Sequence, residues 1–204
     1  MSLNVYRRKR KFGNTPEPGE SGLPDEKGLH FVVQKHDASH LHYDFRLEIG
    51  GVLKSWAIPK GPSMNPEDKR LAVMVEDHPY AYKDFEGIIP SGNYGAGSVI
   101  IWDNGLYEPV DAQSQNKKDL EKLLTQELKK GTLKIILHGK KLKGEFALVQ
   151  TKKINDHSWL LMKKHDEYAL STDITKKDKS VVSGLSIEQL SRTVSIQSPK
   201  QKNK

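Results

Sequence analysis

One ten-residue stretch constrains the fold more than any other part of this chain. From His40 to Ile49 the residues alternate strictly between ionisable and apolar, and Gly50-Gly51 end the run. Successive side chains of a β-strand point to opposite faces, so this stretch would carry one apolar and one ionisable face. The pattern predicts a strand with a packed core on one side and water on the other.

The remaining sequence predicts a mainly β protein. Short apolar stretches bounded by turn residues suggest seven more strands, at residues 29–35, 52–58, 71–76, 98–102, 132–138, 144–151 and 158–163. Asp103-Asn104-Gly105, after the fourth of these, predicts a tight hairpin. An amphipathic helix is predicted at 119–130 and ends at Gly131. We therefore expect a compact, closed or partly closed antiparallel β-barrel with one or two peripheral helices.

Composition divides the chain into three parts. Its 204 residues, of which 35% are hydrophobic, suffice for one domain with a real core. Residues 1–28 combine the basic run Arg7-Arg8-Lys9-Arg10-Lys11 with prolines and glycines, which predicts a basic, irregular arm. Residues 29–170 hold the predicted barrel. Residues 171–204 lack aromatic residues and are rich in serine and lysine, which predicts a flexible tail with one short amphipathic piece at 185–190.

The composition and the absence of long apolar runs exclude several classes of protein. The chain has no cysteine, so disulfide scaffolds, thiolate zinc sites, cysteine nucleophiles and iron–sulfur clusters are excluded. No apolar run approaches the ~18 residues that span a bilayer, and the N-terminus lacks the apolar stretch of a secretory signal. We therefore expect a cytoplasmic protein without a membrane partner. The net charge of +7 favours a polyanionic partner without establishing one.

The ionisable face of the alternating strand is a candidate metal site. His42, Asp44 and Arg46 share that face, and His36 reaches it if the turn at 37–39 folds back. Two imidazoles and a carboxylate suit Mn, Fe, Co or Zn better than Ca or Mg, and three protein ligands leave positions open for water and substrate. Arg46 would clamp an anion beside the metal. The alternative is a polar sheet face that is simply solvated, and we expect His40 to be exposed.

Further candidates are weaker when taken singly. His78 precedes Pro79 at a predicted strand end and would bind a phosphoryl oxygen or donate a proton, although an exposed loop histidine is the simpler interpretation. Lys60 lies in a proline-rich turn and would project as a point charge. The glycine-rich stretch 89–97 predicts tight turns that let backbones approach closely, and its order of residues does not match a nucleotide-binding loop.

Longer motifs resemble a known family. QKHDASHLHYDFRLE (34–48), EDHPYAYKDFEG (76–87), the arm YRRKRKFGNTPEP (6–18) and the later segments LKIILHGKKLKGEFALV and WLLMKKHDEYA are similar to the 3′-phosphoesterase domain of bacterial ATP-dependent DNA ligase D. That domain also occurs as a stand-alone protein. The resemblance, from about residue 6 to 169, implies a β-barrel enzyme of non-homologous end joining that uses manganese. Such an enzyme removes a 3′-terminal ribonucleoside (phosphodiesterase) and then the 3′-phosphate (phosphomonoesterase), leaving a 3′-hydroxyl.

The resemblance also implies roles for individual residues of this chain. The metal ligands would be His36, His42 and Asp44. The catalytic and phosphate-contacting residues would be Arg46, His78 and Tyr82. Positions that bind phosphate or substrate would be Gln34, Lys60, Arg70 and, from the arm, Arg10 and Glu17, the last two for the diesterase step. The cofactor would be Mn2+, with Co2+ or Zn2+ as other divalent options.

One position departs from the family pattern, because Lys11 stands where the family usually carries an acidic residue. The monoesterase step is therefore implied more directly than the diesterase step. The expected partners are nucleic acid 3′ ends, on primer–template DNA with a 3′-ribonucleotide or 3′-phosphate, and a DNA ligase or polymerase acting in trans. We expect a monomer that associates with the nucleoid.

Two other functions compete with this interpretation. A catalytically silent module that binds DNA ends would use the positive charge and the basic tails for phosphate contacts. A cupin-like small-molecule metalloenzyme would also use two histidines and a carboxylate on a barrel strand. Arg46 beside the candidate ligands favours a phosphate ligand over the second option.

Overall fold

Strands make up most of the regular secondary structure among the described residues. The computed structural model describes residues 3–19, 22–24, 27–151 and 154–197. Its strands are β1 Leu29–Asp37, β2 Leu41–Ile49, β3 Val52–Ile58, β4 Arg70–Met74, β5 His78–Pro79, β6 Gly87–Ile89, β7 Gly97–Pro109, β8 Thr132–Gly139, β9 Lys143–Gln150 and β10 Ser158–Lys163. Its α-helices are α1 Leu3–Arg8, α2 Lys117–Lys130 and α3 Ile187–Gln197, and short 3₁₀ helices cover Tyr80–Asp84 and Ile174–Lys176.

Eight of the strands close into a barrel. They pair antiparallel in the order β1-β2-β3-β4-β10-β9-β8-β7, and β7 pairs with β1 to complete the circle. Strand β5 adds to β3, and β6 adds to β7. Closure leaves these eight strands without an open edge. The predicted mainly β, closed antiparallel barrel is confirmed, and the described residues hold three α-helices where one or two were expected.

The apolar face of β2 fills the barrel. Phe45, Leu47 and Ile49 are at most 2% exposed and belong to the main core cluster, with Trp56 from β3 and Trp159 from β10. The ring centroids of Phe45 and Trp56 lie 6.4 Å apart, and those of Trp56 and Trp159 lie 5.8 Å apart. The period-two pattern therefore assigns the inner face of β2 correctly.

The ionisable face of β2 does not lie in water, so that expectation is wrong. Asp44, Arg46 and Glu48 are 7%, 3% and 0% exposed. A second apolar cluster covers the outside of this wall, and it consists of Tyr6, Leu53, Tyr80, Tyr82, Phe85, Ile89 and Val99. Because these residues come from the arm, from β3 and from 80–99, the alternation within β2 carried no signal of the second layer.

The predicted hairpin at 103–105 is also wrong, because β7 runs continuously through these residues. Asp103 is fully buried, and its carboxylate accepts hydrogen bonds from the backbone N–H groups of 140, 141 and 142 at 3.0, 3.1 and 2.8 Å. A Cβ at position 105 would overlap His138 O on the adjacent strand. Asp103 therefore stabilises the turn between β8 and β9, and Gly105 lets β7 and β8 approach closely. Neither residue forms a turn of its own.

The predicted surface helix is confirmed as α2, which begins two residues earlier than expected. The Asn116 side chain caps it by accepting from Lys118 N at 2.9 Å, and Gly131 ends it in the left-handed region at φ 78°. Buried Leu120 and Leu124 join the main core.

The division into arm, barrel and tail stays a prediction, although parts of both end segments are ordered against the barrel. Tyr6 of α1 is fully buried, and the side chain of Ile174 is only 4% exposed. Val181 N donates to Ile101 O at 2.9 Å, and the hydroxyls of Ser191 and Ser98 lie 2.8 Å apart. The lysine-rich end at 198–204 lies outside the described residues. Among the described helices, none has the length and apolar character that crossing a membrane requires.

Candidate active site

A cavity of about 320 Å³ opens on the outer face of the wall formed by β1, β2 and β3. The structure brings together here all three predicted metal ligands, all three predicted catalytic residues and one residue of the arm. They are His36, His42, Asp44, Arg46, His78, Tyr82 and Arg10. Strand pairing explains the clustering, because His36 lies opposite His42, Gln34 opposite Asp44, and Arg46 opposite Ser55.

The three predicted ligands converge as a metal site requires. Their candidate ligand atoms all lie within 4.8 Å of one another. His36 Nδ1 is 3.5 Å from Asp44 Oδ2, and His42 Nε2 is 3.6 Å from Asp44 Oδ1. Metal–ligand bonds of about 2.0–2.2 Å place neighbouring ligand atoms about 3.0–3.5 Å apart, so these separations fit a cation held between them.

Backbone carbonyls orient both imidazoles. His36 Nε2 lies 2.9 Å from Gly95 O, and His42 Nδ1 lies 2.9 Å from His40 O. A carbonyl only accepts, so these nitrogens donate to the carbonyls. The other nitrogen of each ring faces Asp44, to which it donates when it carries a hydrogen, and its lone pair would bind a metal when it does not. Metal-binding histidines are held in this way, with the second ring nitrogen donating to a carbonyl or carboxylate.

Electrostatics keep the ligand carboxylate ionised. Burial alone would raise the pKa of Asp44, but the adjacent Arg46 charge and the hydrogen bonds from the two histidines hold it well below its usual range. Burial also lowers the pKa of His42, yet the hydrogen bond and charge of Asp44 outweigh that effect and raise it. Two nitrogens and a carboxylate oxygen suit a divalent transition metal, so the residues present form a possible metal site.

Arg46 is fixed beside this site with hydrogen-bonding capacity to spare. Its Nε donates to Gln34 Oε1 at 2.7 Å, Nη1 to Ser55 Oγ at 3.0 Å and Nη2 to Asp44 Oδ2 at 3.1 Å. Its guanidinium carbon also lies 4.8 Å from the centre of the Tyr82 ring. A guanidinium has five N–H groups, so one on Nη1 and one on Nη2 remain for an anion in the cavity.

His78 is a neutral imidazole at the inner wall of the cavity. Its Nδ1 lies 3.0 Å from Glu76 O, and Nε2 lies 3.3 Å from Arg10 Nη2. Nδ1 therefore donates to the carbonyl, and Nε2 accepts from the guanidinium. Burial and the neighbouring Arg46 and Arg10 charges hold the pKa of His78 well below its usual range. The interpretation of His78 as an exposed loop residue is excluded by its 4% exposure.

The arm closes one side of the cavity. Arg10 Nε donates to Glu17 Oε1 at 3.0 Å, and Arg10 Nη1 donates to Glu76 Oε1 at 3.2 Å. Tyr82 donates its hydroxyl to Glu17 Oε1 at 2.9 Å, and burial raises its pKa well above the usual value, so that hydroxyl keeps its proton. Lys11 is exposed and does not line the cavity.

The other predicted positions lie behind the cavity or away from it. Gln34 is fully buried beneath Arg46, and its Nε2 also donates to Tyr82 O at 3.0 Å and Phe85 O at 2.8 Å. Lys60 is exposed just beyond β3, and Arg70 donates to Asp68 Oδ2 at 2.9 Å. Neither Lys60 nor Arg70 lines the cavity.

Sequence reasoning missed two residues of the lining. Glu76 accepts from Arg10 and from Lys9 Nζ, the latter at 3.0 Å, and its position two residues before His78 was an available signal. Tyr94 lines the opening beside Gly95, and nothing in its glycine-rich context indicated this.

Comparisons with known proteins agree with this geometry. The family model for the DNA Ligase D 3′-phosphoesterase domain matches residues 34–150. The chain is 51% identical over 174 residues to the multifunctional non-homologous end joining protein LigD of Pseudomonas aeruginosa, covering 84% of this chain and 19% of that protein. It is 45% identical over 159 residues to the multifunctional non-homologous end joining DNA repair protein LigD of Mycobacterium tuberculosis, covering 78% of this chain and 19% of that protein. The chain thus spans about a fifth of the length of these relatives.

Proposed function

This chain belongs to the DNA ligase D 3′-phosphoesterase domain family, and on that premise we propose that it hydrolyses phosphoesters at nucleic acid 3′ ends during non-homologous end joining. In the first proposed step, water attacks the phosphorus that links the 3′-terminal ribonucleoside, which leaves as the free nucleoside. In the second step, water attacks the remaining 3′-phosphate, which is released as inorganic phosphate. The product is a 3′-hydroxyl ready for ligation. Primer–template DNA that ends in a single ribonucleotide or a 3′-phosphate is the proposed substrate.

One observation carries the proposal. His36, His42, Asp44 and Arg46 all line one cavity, with the candidate ligand atoms of the first three within 4.8 Å of one another. Among the described residues, two N–H groups of the Arg46 guanidinium have no hydrogen-bond partner. A cation site beside an anion clamp suits a phosphate group, which carries negative charge on several oxygens. An oxygenase that acts on an uncharged small molecule has no need of the clamp.

The proposed cofactor is manganese, held by His36, His42 and Asp44, with cobalt or zinc as alternatives. When bound, such an ion supplies Lewis-acid polarisation of a phosphoryl oxygen. Arg46 donates its remaining N–H groups to other phosphate oxygens, and Gln34 and Ser55 hold its guanidinium in place. Because the clamp is already hydrogen-bonded and buried, it needs little reorganisation as charge develops in the transition state.

His78 has a role that depends on substrate. A bound phosphate brings negative charge next to a histidine that is neutral in its absence, and this favours the protonated form. His78 Nε2 then donates a hydrogen to a phosphate oxygen or to the leaving oxygen, while Nδ1 continues to donate to Glu76 O. Arg10 releases Nε2 for this purpose and can itself contact the substrate. Tyr82 orients the phosphate from the same side.

The arm is proposed to serve the diesterase step. Arg10 and Glu17 form a buried pair that joins the arm to Tyr82 and His78. Polar groups of the arm would recognise the 2′-hydroxyl of the terminal ribose, since that group distinguishes a terminal ribonucleotide from DNA. Glu17→Ala should then slow ribonucleoside removal more than 3′-phosphate removal. Equal loss of both rates would contradict this role.

A primer extension product that ends in one ribonucleotide tests the function directly. Incubation with manganese should convert it first to a 3′-phosphate and then to a 3′-hydroxyl, and a chelator or His42→Ala should abolish both steps. His40→Ala is the matched control, because His40 holds His42 through its backbone carbonyl, which alanine keeps. Salt-sensitive DNA binding that survives the chelator without turnover would instead identify a silent end-binding module.

The cellular setting is part of the same proposal. A ligase or polymerase supplied in trans would use the 3′-hydroxyl product, and a cytoplasmic, nucleoid-associated monomer would meet DNA ends there. The excess of 33 basic over 26 acidic residues supports contact with the DNA backbone.

A further inference from the structure

A large aromatic ring stands at the rim of the cavity. Tyr94 is 52% exposed, whereas the candidate ligands His36 and Asp44 at the base of the cavity are each 7% exposed. The exposed ring beside a buried polar site is therefore accessible to a molecule that binds in the cavity.

The loop that carries Tyr94 is fastened to the metal site and to the arm. Gly95 O, the next residue's carbonyl, holds His36 Nε2 at 2.9 Å. The Asn93 side chain donates to Asn14 O at 3.2 Å and to Pro90 O at 3.1 Å. A shift of the loop backbone that carries Tyr94 would therefore change the contacts of a candidate metal ligand.

Two cations of the arm lie against the same ring. Lys9 Nζ is 4.4 Å from the ring centre and 3.1 Å from the Tyr94 hydroxyl, and the Arg10 guanidinium carbon is 5.6 Å from the ring centre. Arg10 Nη2 in turn lies 3.3 Å from His78 Nε2. One guanidinium thus separates the ring from a proposed phosphate contact. In a terminal nucleotide, the sugar bridges a comparable gap between the 3′-phosphate and the base.

We infer that Tyr94 is the stacking platform for the nucleobase of the terminal nucleotide whose 3′-phosphate enters the cavity. The inference rests on the proposed function and specifies how the strand end is positioned. Aromatic stacking tolerates any base, because every base has a π-face, and this suits an enzyme that processes ends of arbitrary sequence. Lys9 and Arg10 lie where they would meet the backbone of the same strand.

The test compares two oligonucleotides that end in a 3′-phosphate, one with a normal terminal base and one with an abasic terminal sugar. Loss of a stacked base contact corresponds to a change of about 5- to 150-fold, so Tyr94→Ala should raise KM by that factor on the normal primer and by much less on the abasic primer. Tyr94→Phe, which keeps the ring, should recover most of the loss. Tyr168→Ala removes a 42% exposed tyrosine that lines a different cavity and should leave KM unchanged.

A binding measurement keeps this inference separate from the proposed activity. With 2-aminopurine as the terminal base, stacking quenches its fluorescence on binding to the wild type and to Tyr94→Phe, but not to Tyr94→Ala. Equal effects of Tyr94→Ala on the normal and abasic primers, or equal quenching by all variants, would overturn the inference. Absence of turnover in the wild type, with the quenching difference intact, would instead overturn the proposed function alone.

Discussion

Tyr6 fastens the arm over the cavity, so its truncation should release the arm while leaving the barrel folded. The side chain is fully buried, its hydroxyl donates to Pro18 O at 2.6 Å, and its ring centre lies 5.1 Å from that of His78 and 6.0 Å from that of Tyr82. The Arg10 guanidinium carbon lies 4.0 Å from the same ring centre. Tyr6 belongs to the outer cluster and not to the barrel core.

The expected magnitude follows from these contacts. Truncation of a large buried aromatic side chain costs about 3–5 kcal/mol, and the lost hydroxyl bond accounts for about 1 kcal/mol of that. A six-residue helix such as α1 is not stable alone in water, so the undocked arm should lose this helix. Tyr6→Ala should therefore favour the undocked arm by a factor of about 150 to 4,000 relative to the wild type. Tyr6→Phe should lose only about a factor of five to ten.

Hydrogen exchange is the assay, since it reports opening of each segment separately. In Tyr6→Ala, backbone amides of residues 3–19 should exchange faster by the stated factor, while those of β8 and β9 keep their protection. The activity on a ribonucleotide-ended primer should fall more than that on a 3′-phosphate. Unchanged exchange in the arm, or an equal loss of protection throughout the barrel, would refute this view of Tyr6.

Three other changes have distinct expected outcomes. Asp44→Asn should abolish manganese binding by calorimetry and, because it leaves Arg46 buried without its carboxylate, lower the free energy of unfolding by about 3–5 kcal/mol in urea. Gly97→Ala should lower it by about 1–3 kcal/mol, because position 97 has φ 145° and a Cβ there would overlap Asp37 O; an unchanged urea midpoint would contradict this. Burial, assisted by the charge of Asp173, raises the pKa of Tyr43 from 10.0 to about 12. The unfolded state therefore loses the Tyr43 proton at a lower pH than the folded state, and the free energy of unfolding should fall as pH rises from about 10. Tyr43→Phe should show a shallower fall over the same pH range.

The sequence was sufficient for much of the barrel wall and for the ligand cluster. Period-two alternation in β2 places Asp44 and Arg46 on the same face, independently of the rest of the fold. A short turn before β2 makes β1 its neighbour, and this pairing places His36 opposite His42. The helix α2 follows from its leucine spacing and its terminal glycine. These patterns are local, and in these two elements no contact with a distant segment overrides them.

What could not be predicted depends on contacts between distant segments. The ionisable face of β2 is buried because distant segments cover it, as where the Tyr82 ring lies 4.8 Å from the Arg46 guanidinium carbon. The hairpin signal at 103–105 failed because Asp103 accepts hydrogen bonds from a turn 37 to 39 residues away. Tyr94 reaches the cavity only because its loop is tied to His36 and Asn14.

A joint titration of the chain with manganese would test most directly whether the cluster of His36, His42 and Asp44 is the reaction centre. Bound metal and release of phosphate from a 3′-phosphate primer would be followed in the same samples, for the wild type, His42→Ala and His40→Ala. A metal-centred reaction predicts that binding and phosphate release rise together and saturate at one ion per chain in the wild type and His40→Ala, and that both are lost in His42→Ala. Phosphate release that persists in His42→Ala, or in the wild type with excess chelator, would contradict a reaction centred on these three residues.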